Sequence, residues 1–280
     1  LHLTPPAVSL QIKELESQVG QTLFDRTGRR MSLTTSGEYF LVYARKLLAT
    51  LKDAESAMAR LSRLESGRLT IGMVSAAMYF LPQLLAKFHT EHPAVDVRLR
   101  LGVRGELGGM LRAAEVDLCV MGRAPNDVPC RAEPFAMHPH VLITSPSHRF
   151  ARAEAVPAAA LAEEPFIVRE AESGTRIVLQ EYLEKHRIQP TFVMEMPSNE
   201  AIKQAVMAGM GVSLLSLHTI ALEWNNGLIA APAVEGLPLM RRWHVVHVAG
   251  KHLSPAAEAF RYFMLEHAEG HLAGLFREAR

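Results

Sequence analysis

The sequence predicts an α/β protein in which a short helical N-terminal part and one long helix precede a larger region of alternating strands and helices. Three observations lead to this class. Apolar residues recur at helical spacing within the first 20 residues, a heptad seam follows from residue 40 to 61, and short apolar runs alternate with helical stretches from residue 69 onward. Repeated βαβ units of that kind are typical of a parallel or mixed sheet covered by helices.

The composition allows two domains or more. The chain has 280 residues, 49% of them apolar, and a formal net charge of +1, which does not by itself indicate nucleic acid. Within residues 1–63 the basic bias is slight, at nine Lys or Arg against six Asp or Glu. No stretch approaches the roughly 20 apolar residues of a membrane helix and no segment resembles a signal peptide, so we expect no membrane partner. Cys119, in an apolar run, and Cys130, after a proline, predict a buried structural thiol, an incidental thiol and a reducing cytoplasm.

The first 20 residues have the pattern of an amphipathic helix. Thr4 can cap this helix, Pro5 suits its first position, and Gly20 is a typical stop. One side of the predicted helix is an apolar stripe of Val8, Ile12, Leu15 and Val19. The opposite side carries Pro6, Ser9, Lys13 and, nearer its edge, Gln11. Any amphipathic helix would look similar, so this helix alone leaves DNA recognition and simple packing equally open.

A tight basic turn follows between two short apolar runs. Arg26-Thr27-Gly28-Arg29-Arg30 brings three guanidinium groups together, and Arg binds phosphate through charge and paired hydrogen bonds. A recognition helix, a short strand and a basic β-wing are the parts of a winged helix-turn-helix, so we predict a DNA-binding unit over residues 1–35. Its candidate DNA contacts are Thr4, Pro5, Pro6, Ser9, Gln11, Lys13, Arg26, Arg29 and Arg30.

A long linker helix is predicted over residues 36–65. Thr35-Ser36-Gly37-Glu38 has the pattern of a capping box at its start. Apolar residues then alternate four and three positions apart from Phe40 to Leu61, which favours a dimerisation helix, although packing on its own chain is the alternative. A two-fold dimer would present two recognition helices to a palindromic site. The residues predicted to form the dimer contact are Ala44, Leu47, Leu51, Ala54, Met58 and Leu61.

The rest of the chain predicts two α/β lobes that follow a hinge at Glu65 to Arg68. Strands are predicted over residues 69–75, 95–102, 117–122, 140–145, 165–169, 192–196, 212–216, 228–232 and 241–250. Helices are predicted over residues 77–91, 105–115 and 199–208, and from Gly174 and Ser254. Apparent crossovers near Ser145 and Pro238 place residues 68–145 and 239–280 in lobe I and residues 146–238 in lobe II. Two lobes joined by two strands are the architecture of type II periplasmic solute-binding proteins.

Three predicted helix starts follow strand ends and would face one cleft. They lie at Ser75, at Ser173-Gly174-Thr175-Arg176 and at Ser198-Asn199-Glu200. In open α/β folds ligands bind at the carboxyl ends of strands, and helix N-termini attract carboxylates and phosphates. For any one of these serines taken alone, a structural N-cap is the better explanation. Together with Arg104 and Arg123, which also follow strand ends, the three starts predict an anion site.

The segments TPPAVSLQIKELE and LFDRTGRRMSLTTSG, in this order of elements, resemble the LysR-type transcriptional regulators, and the resemblance runs over the whole chain. It implies a winged helix-turn-helix, a linker helix and a two-lobed effector domain. The sequence departs from the family pattern in two ways. Pro5 stands where the family usually has a Gln that contacts a base edge, and the helix that should precede the recognition helix is missing, so we expect a truncated sequence.

The same resemblance implies an effector cleft lined by Ser75, Arg104, Gly122, Arg123, Thr175, Arg176, Asn199 and Ser213. Three later segments, HPHVLITSP, SNEAIKQAVMAGMGVSLLSLHTIALEW and RRWHVVHVAGKHLSPAAEAFR, are similar to regulators of Calvin-cycle carbon-fixation operons. That similarity implies an activator that senses a phosphorylated metabolite or a nicotinamide nucleotide and has no cofactor. Its implied partners are promoter DNA, RNA polymerase and further copies of the chain in a homodimer or homotetramer. A regulator of another operon with a carboxylate effector stays open.

Other functions have less support. His138-Pro139-His140 puts two imidazoles on one face, a spacing that metals use, but no third ligand cluster lies nearby in sequence, so no metal is expected. Glu200 has two open roles, binding a ligand hydroxyl or holding Lys203 in a surface pair. A solute receptor would leave residues 1–65 without a role, and no nucleophile elbow or distinct acid–base pair supports an enzyme.

Overall fold

The computed structural model describes residues 5–25, 31–44, 47 and 67–276, and its side chains from residue 8 onward. The chain divides into two compact units, Leu1–Arg63 and Leu64–Arg280. The first contains a helix, a small hairpin and the start of a second helix. The second contains the predicted alternation of strands and helices, which confirms the α/β class.

Unit 1 begins with helix α1 (Pro5–Val19), which ends at Gly20 with φ at +70°. Strands β1 (Phe24–Asp25) and β2 (Ser32–Leu33) pair antiparallel and form the base of the predicted wing. Helix α2 follows over residues 35–44 and includes residue 47. The Glu16 carboxylate on α1 accepts hydrogen bonds from the N–H groups of Leu23 and Phe24, and this contact fixes β1 against α1.

Two details of unit 1 differ from the prediction. The cap of α2 is Thr34, not Thr35, because the Thr34 hydroxyl oxygen accepts from the Gly37 N–H at 3.0 Å and donates to the Thr22 carbonyl at 2.7 Å. The apolar stripe of α1 is only partly covered. Ile12 and Leu15 are half-buried, and Val8 and Val19 are exposed. In the described part of this unit only Leu23 and Gly37 are buried.

Unit 2 contains eight strands and six α-helices among the described residues. The strands are β3 (Gly67–Met73), β4 (Val95–Leu101), β5 (Leu118–Met121), β6 (Cys130–Ile143), β7 (Pro165–Arg169), β8 (Thr191–Met196), β9 (Ser213–Ser216) and β10 (Leu239–Val248). The helices are α3 (Leu81–Glu91), α4 (Arg104–Arg112), α5 (Gly174–His186), α6 (Asn199–Met207), α7 (Ala221–Asn225) and α8 (Pro255–Ala273).

The strands form two lobes that share β6. One six-stranded sheet has the order β4-β3-β5-β10-β6-β9, with β3, β4 and β5 parallel and the remaining pairs antiparallel. Strand β6 pairs with β10 from Cys130 to His140 and with β9 from His140 to Ile143, so it runs from lobe I into lobe II. Lobe II adds the parallel pair β7 and β8, and a bridge from Phe166 to Val212 joins β7 to β9.

Each lobe has its own apolar core. In lobe I, Leu107 and Leu111 of α4 pack with Cys119, Met121 and Val246 of the sheet. In lobe II, one buried cluster lies between the sheet and α5, and a second lies against α6. Both cysteines are free thiols; burial raises the pKa of the Cys119 thiol to about 12, as expected for a structural residue. No helix in the described ranges is long and apolar enough to span a membrane.

Several predicted elements of unit 2 have different bounds. The predicted helix over 77–91 is a 3-10 helix (Ser75–Tyr79) followed by α3, since Pro82 starts a new helix rather than continuing one. The helix predicted over 105–115 is α4, Arg104–Arg112. The strand predicted from residue 140 begins at Cys130. The strand predicted over 228–232 is wrong: only a single bridge, Ala230 to Thr144, forms there.

Candidate functional site

A cleft of about 740 Å³ lies between the two lobes of unit 2. Its walls come from the carboxyl ends of β3, β5 and β7, from the starts of α4 and α5, and from β6 and β10. This is the position at which open α/β folds bind ligands. The cleft therefore agrees with the prediction that strand ends and helix starts would meet at one place.

Helices from opposite lobes begin at this cleft. Val103 and Arg104 lie at the start of α4, and Ser173, Gly174 and Thr175 lie at the start of α5. The Ser173 side chain caps no backbone N–H group. The Val103 N–H donates to the Glu106 carboxylate at 3.0 Å. The first N–H groups of an α-helix have no partner within the helix and carry partial positive charge, so both walls favour an anion.

Basic side chains outnumber acidic ones around the cleft. Its arginines are Arg104, Arg123, Arg169, Arg241 and Arg242, and its glutamates are Glu170, Glu172 and Glu181. Glu170 is paired with Arg169, and Glu181 with Arg241. The side chains of Arg104, Arg123 and Arg242 have no ion pair with another described residue. Unpaired guanidinium groups in a cleft that also contains two helix N-termini suit a phosphate or a carboxylate.

Arg169, at the end of β7, connects the two lobes across the cleft. Its side chain is only 5% exposed, and its Nη1 donates to the Ser75 hydroxyl of lobe I at 3.1 Å. The same nitrogen donates to the Asn199 amide oxygen of lobe II. The Glu170 carboxylate accepts from Nε and Nη2, both at 2.7 Å. Four hydrogen bonds therefore hold this buried guanidinium in place.

The floor of the cleft contains two buried imidazoles, His138 and His140. The His138 ring stacks on Trp243 at 3.7 Å, and neither of its ring nitrogens has a hydrogen-bond partner. Burial, together with nearby positive groups, lowers the pKa of His138 well below its ordinary value and that of His140 to about 4. Burial also lowers the pKa of His218, which accepts from the Trp243 indole, to about 4. These imidazoles are neutral at physiological pH.

We expect unit 2 to lose stability as the pH falls from about 6.5 to about 4. A histidine whose pKa is lowered in the folded state binds a proton more readily in the unfolded chain, so protonation favours unfolding. For His140 and His218, a pKa shift from 6.5 to about 4 corresponds to a loss of about 3 kcal/mol in unfolding free energy for each residue at the acid end. The variant His138→Phe keeps the stack on Trp243 and should reduce this loss. Urea unfolding followed by tryptophan fluorescence at several pH values measures it, because both tryptophans, Trp224 and Trp243, lie in unit 2. Exposed His252→Phe is the control, and equal pH dependence in the two variants would contradict the expectation.

Five of the eight residues expected to line the cleft do so: Ser75, Arg104, Gly122, Arg123 and Thr175. The other three do not line it. Arg176 packs over the Phe192 ring and donates to the Arg169 carbonyl. Asn199 bonds Arg169, and Ser213 is buried in β9.

The structure shows a contact for two polar residues whose roles the sequence left open. Ser198 caps α6 by accepting from the Ala201 N–H at 3.4 Å, which is the structural role. Glu200 pairs with Lys203 at 2.9 Å, which is the second of its two open roles.

Sequence reasoning missed several residues of the cleft, above all Arg169 and Glu170. Arg169 ends a strand, as Arg104 and Arg123 follow strand ends, so the same rule would have found it. His138 and His140 were considered only as metal ligands. Within the described ranges, no three His, Cys, Asp or Glu side chains are grouped as a metal would require.

The predicted DNA contacts are only partly described. Ser9, Gln11 and Lys13 are exposed on α1, and Pro5 and Pro6 form its first turn. Thr4, Arg26, Arg29 and Arg30 lie outside the described residues. Within the predicted dimer contact, Ala44 is half-buried and Leu47 is 71% exposed. The other four residues of that contact, Leu51, Ala54, Met58 and Leu61, lie outside the described residues.

The fold and the cleft define a two-lobed ligand-binding protein of the periplasmic-binding type, in one chain with a helix–hairpin unit. Residues 62–269 match the family described as LysR substrate binding domain, and residues 1–38 match the bacterial regulatory helix-turn-helix protein family, lysR type. The chain therefore belongs to the LysR family, and the predicted winged helix-turn-helix and type II periplasmic-binding-like fold are confirmed.

Similar proteins indicate a narrower group within the LysR family. The chain is 46% identical over 267 residues to the HTH-type transcriptional regulator CfxR of Cupriavidus necator, covering 95% of this chain and 84% of that protein. It is 44% identical over 264 residues to the regulator CbbR of Rhodospirillum rubrum, covering 94% of this chain and 88% of that protein. The structure of the Synechocystis CcmR regulatory domain in complex with 2-PG matches with a TM-score of 0.69 and 34% identity, over 71% of this chain and 96% of that domain.

Proposed function

We propose that this protein is a DNA-binding transcriptional regulator of carbon-fixation genes that responds to a small phosphorylated metabolite. The observation that carries the proposal is the cleft between the lobes, where two helix N-termini meet arginines without ion-pair partners. The identity to CbbR and CfxR supports the choice of target genes. The 2-PG (2-phosphoglycolate) bound by the similar CcmR domain supports the choice of effector class.

The chemistry of the cleft matches a phosphate ester. Arg104 lies in the first turn of α4, and Thr175 in the first turn of α5 on the opposite wall. A phosphate placed between them would accept hydrogen bonds from both walls and would draw the lobes together. The imidazoles on the floor are neutral at physiological pH, so the positive charge that faces the anion comes from the arginines. No nucleophile is needed for this task, and we infer that the protein binds its effector without converting it.

The DNA side of the proposal rests on unit 1. We infer that α1 reads promoter DNA through Ser9, Gln11 and Lys13, which are all exposed on this helix. Arg26, Arg29 and Arg30 would bind phosphates on either side of the groove. The protein would act in the cytoplasm as a homodimer or homotetramer, paired through the linker helix, and would contact RNA polymerase at the promoter.

Effector binding would act through lobe closure. We propose lobe boundaries near Ser145 and Pro238, where strand β6 ends and β10 begins, so that closure bends the chain at these two crossings. Closure around an anion would rotate the linker helices and change the spacing of the two recognition helices. Small-angle scattering of the dimer on operator DNA, with and without effector, tests this step; identical profiles would refute it.

A thermal unfolding titration with 2-phosphoglycolate tests the effector. A ligand present at 100 times its dissociation constant adds about 2.7 kcal/mol of stability, which is a readable shift. Arg104→Ala and Thr175→Ala should each weaken binding, Arg104→Ala by about tenfold or more because a charged hydrogen bond is lost. Arg112→Ala is the matched control, since Arg112 ends the same helix and pairs with Asp127 outside the cleft.

Binding that is equally strong in Arg104→Ala and Arg112→Ala would place the effector elsewhere. Stabilisation by simple carboxylates but by no phosphate ester would contradict the carbon-fixation proposal.

The proposed DNA recognition is tested by letting the purified protein select duplexes from a random pool. We expect a two-fold symmetric consensus, and a pool that yields no enrichment would contradict DNA recognition by this chain.

A further inference from the structure

The anion-binding edge of Arg169 is already occupied. A guanidinium group offers its Nε and one terminal nitrogen as a fork that accepts a carboxylate or phosphate through two parallel hydrogen bonds. In Arg169 this fork is filled by the carboxylate of the next residue, Glu170, with both contacts at 2.7 Å. The remaining nitrogen, Nη1, bonds Ser75 and Asn199. Both Arg169 and Glu170 line the cleft.

We propose that Arg169 is an effector-binding residue. The Glu170 carboxylate occupies the effector's position on Arg169 until an anionic ligand binds. The anionic group of the effector takes the fork of Arg169, and the Glu170 carboxylate turns out to water. This proposal rests on the proposed function in one respect only, that the cleft binds an anion. It adds that the free protein inhibits its own binding site with an internal carboxylate.

Burial explains why Glu170, rather than Arg169, would move. The Arg169 side chain is 5% exposed and is held from both lobes, whereas the Glu170 side chain is 23% exposed. A buried guanidinium needs a negative partner, because an unpaired buried charge is costly. A carboxylate at the cleft surface can leave its ion pair for water at little cost in free energy. The exchange therefore keeps Arg169 paired throughout and leaves Glu170 solvated.

The backbone around the pair is fixed independently of this contact. The Glu170 carbonyl accepts from the Ser173 N–H at 3.0 Å, and the Arg169 carbonyl accepts from Arg176. Only the Glu170 side chain has to rotate for the fork to become free. The exchange also reaches lobe I, because Arg169 Nη1 donates to the Ser75 hydroxyl.

Glu170→Gln tests the proposal against a matched control, Glu172→Gln. Glu172 lines the same cleft two residues away and forms no ion pair with another described residue, so its removal changes the charge of the cleft equally. We expect Glu170→Gln to bind 2-phosphoglycolate about tenfold more tightly than Glu172→Gln does, the difference made by freeing one charged contact. In an Arg169→Gln background the substitution at Glu170 should bring no gain.

Sodium sulfate supplies a second measurement that does not depend on the natural effector. Glu170→Gln leaves the buried guanidinium of Arg169 without its carboxylate, so the variant should be less stable than Glu172→Gln in low salt. Sulfate should raise its unfolding temperature more than that of Glu172→Gln, relative to sodium chloride of equal ionic strength. Glu170→Asp keeps the charge but has a shorter side chain. It should also lower the stability in low salt and increase the stabilisation by sulfate, each by less than Glu170→Gln does.

The outcomes separate this proposal from the proposed function. Equal affinity for 2-phosphoglycolate and equal sulfate response in the two Gln variants would overturn the role of Glu170, while the effector proposal would stand. A sulfate response confined to Glu170→Gln, with 2-phosphoglycolate bound by no variant, would support the Arg169 site and refute that ligand. Tighter binding that persists in the Arg169→Gln background would overturn the assignment of Arg169.

Discussion

Gly37→Ala should unfold unit 1 and abolish sequence-specific DNA binding, while unit 2 keeps its fold. A Cβ atom at Gly37 would lie 2.0 Å from the Leu23 carbonyl oxygen and 3.1 Å from the Leu33 side chain. The Leu23 carbonyl cannot retreat freely, because it accepts from the Thr34 N–H at 3.0 Å, a contact between the residue before β1 and the cap of α2. Overpacking combined with a broken hydrogen bond costs about 3 kcal/mol or more, which exceeds what so small a unit can absorb.

Limited proteolysis and DNA binding measure this effect together. Trypsin should cleave within residues 1–63 of Gly37→Ala under conditions that spare the unsubstituted chain. Tryptophan fluorescence, which reports unit 2 alone, should be unchanged. Ser36→Ala is the matched control, one position earlier on the same helix and half-buried. Retained DNA affinity and protease resistance in Gly37→Ala would show that unit 1 does not need this close approach.

Local patterns were enough to predict most of the elements. Gly20 ends α1 at a positive φ, as a glycine after the last helical residue commonly does. The apolar runs LTIGMVS and PFIVR fold as β3 and β7 because short buried runs bounded by turn residues suit parallel strands. The cleft followed from the same logic, since strand ends and helix starts are local features whose meeting place is set by the α/β topology.

The misplaced elements involve contacts between distant parts of the chain. Residues 228–232 have the composition of a strand, but only Ala230 finds a partner, Thr144, so no ladder develops. The first ten residues of β6, from Cys130 onward, alternate poorly in hydrophobicity and contain Pro134 and Pro139. They are nevertheless a strand because β10 pairs antiparallel along them, with one register shift between Trp243 and His244. Sequence patterns over ten residues carry no information about such a partner.

The same limit explains the missed part of the site. Arg169 is recognisable as a residue at a strand end, but its contact with Ser75 spans 94 positions of sequence. Glu170 could be read as an ordinary charged loop residue, and only the structure shows that it fills the Arg169 fork. Lys203 is a further case. The sequence left open a surface ion pair with Glu200, yet the Lys203 side chain is only 2% exposed.

Removing the Glu223 carboxylate should destabilise unit 2 by about 3 kcal/mol, because it leaves the buried Lys203 ammonium with a single, mostly exposed partner. Lys203 Nζ lies 2.7 Å from Glu223 Oε1, 2.9 Å from Glu200 Oε2 and 4.6 Å from the centre of the Tyr79 ring. Burial alone would lower the pKa of Lys203, but the hydrogen bonds that its ammonium donates to the Glu223 and Glu200 carboxylates outweigh burial and raise the pKa above its ordinary value. The ammonium therefore stays charged, and the fold depends on its partners.

A double-mutant cycle between Lys203 and Glu223 measures the pair. Urea unfolding should show a large loss for Glu223→Leu and for Lys203→Met alone, since each leaves one buried charge. The combined Lys203→Met, Glu223→Leu variant should recover most of the stability, because two apolar side chains replace a buried ion pair at little cost. Glu200→Gln, with a side chain 55% exposed, should cost less than about 1 kcal/mol.

The cycle also bears on the cleft, since Tyr79 belongs to the 3-10 helix that carries Ser75 and contacts Lys203 from the opposite lobe. If the pair helps to set the distance between the lobes, the double variant should regain stability without regaining the affinity of the unsubstituted chain for 2-phosphoglycolate. Strictly additive losses in the double variant would contradict direct coupling of the two charges. Full recovery of both stability and affinity would show that the pair supports the fold of lobe II alone, and the closure of the cleft would then depend on Arg169 and Ser75.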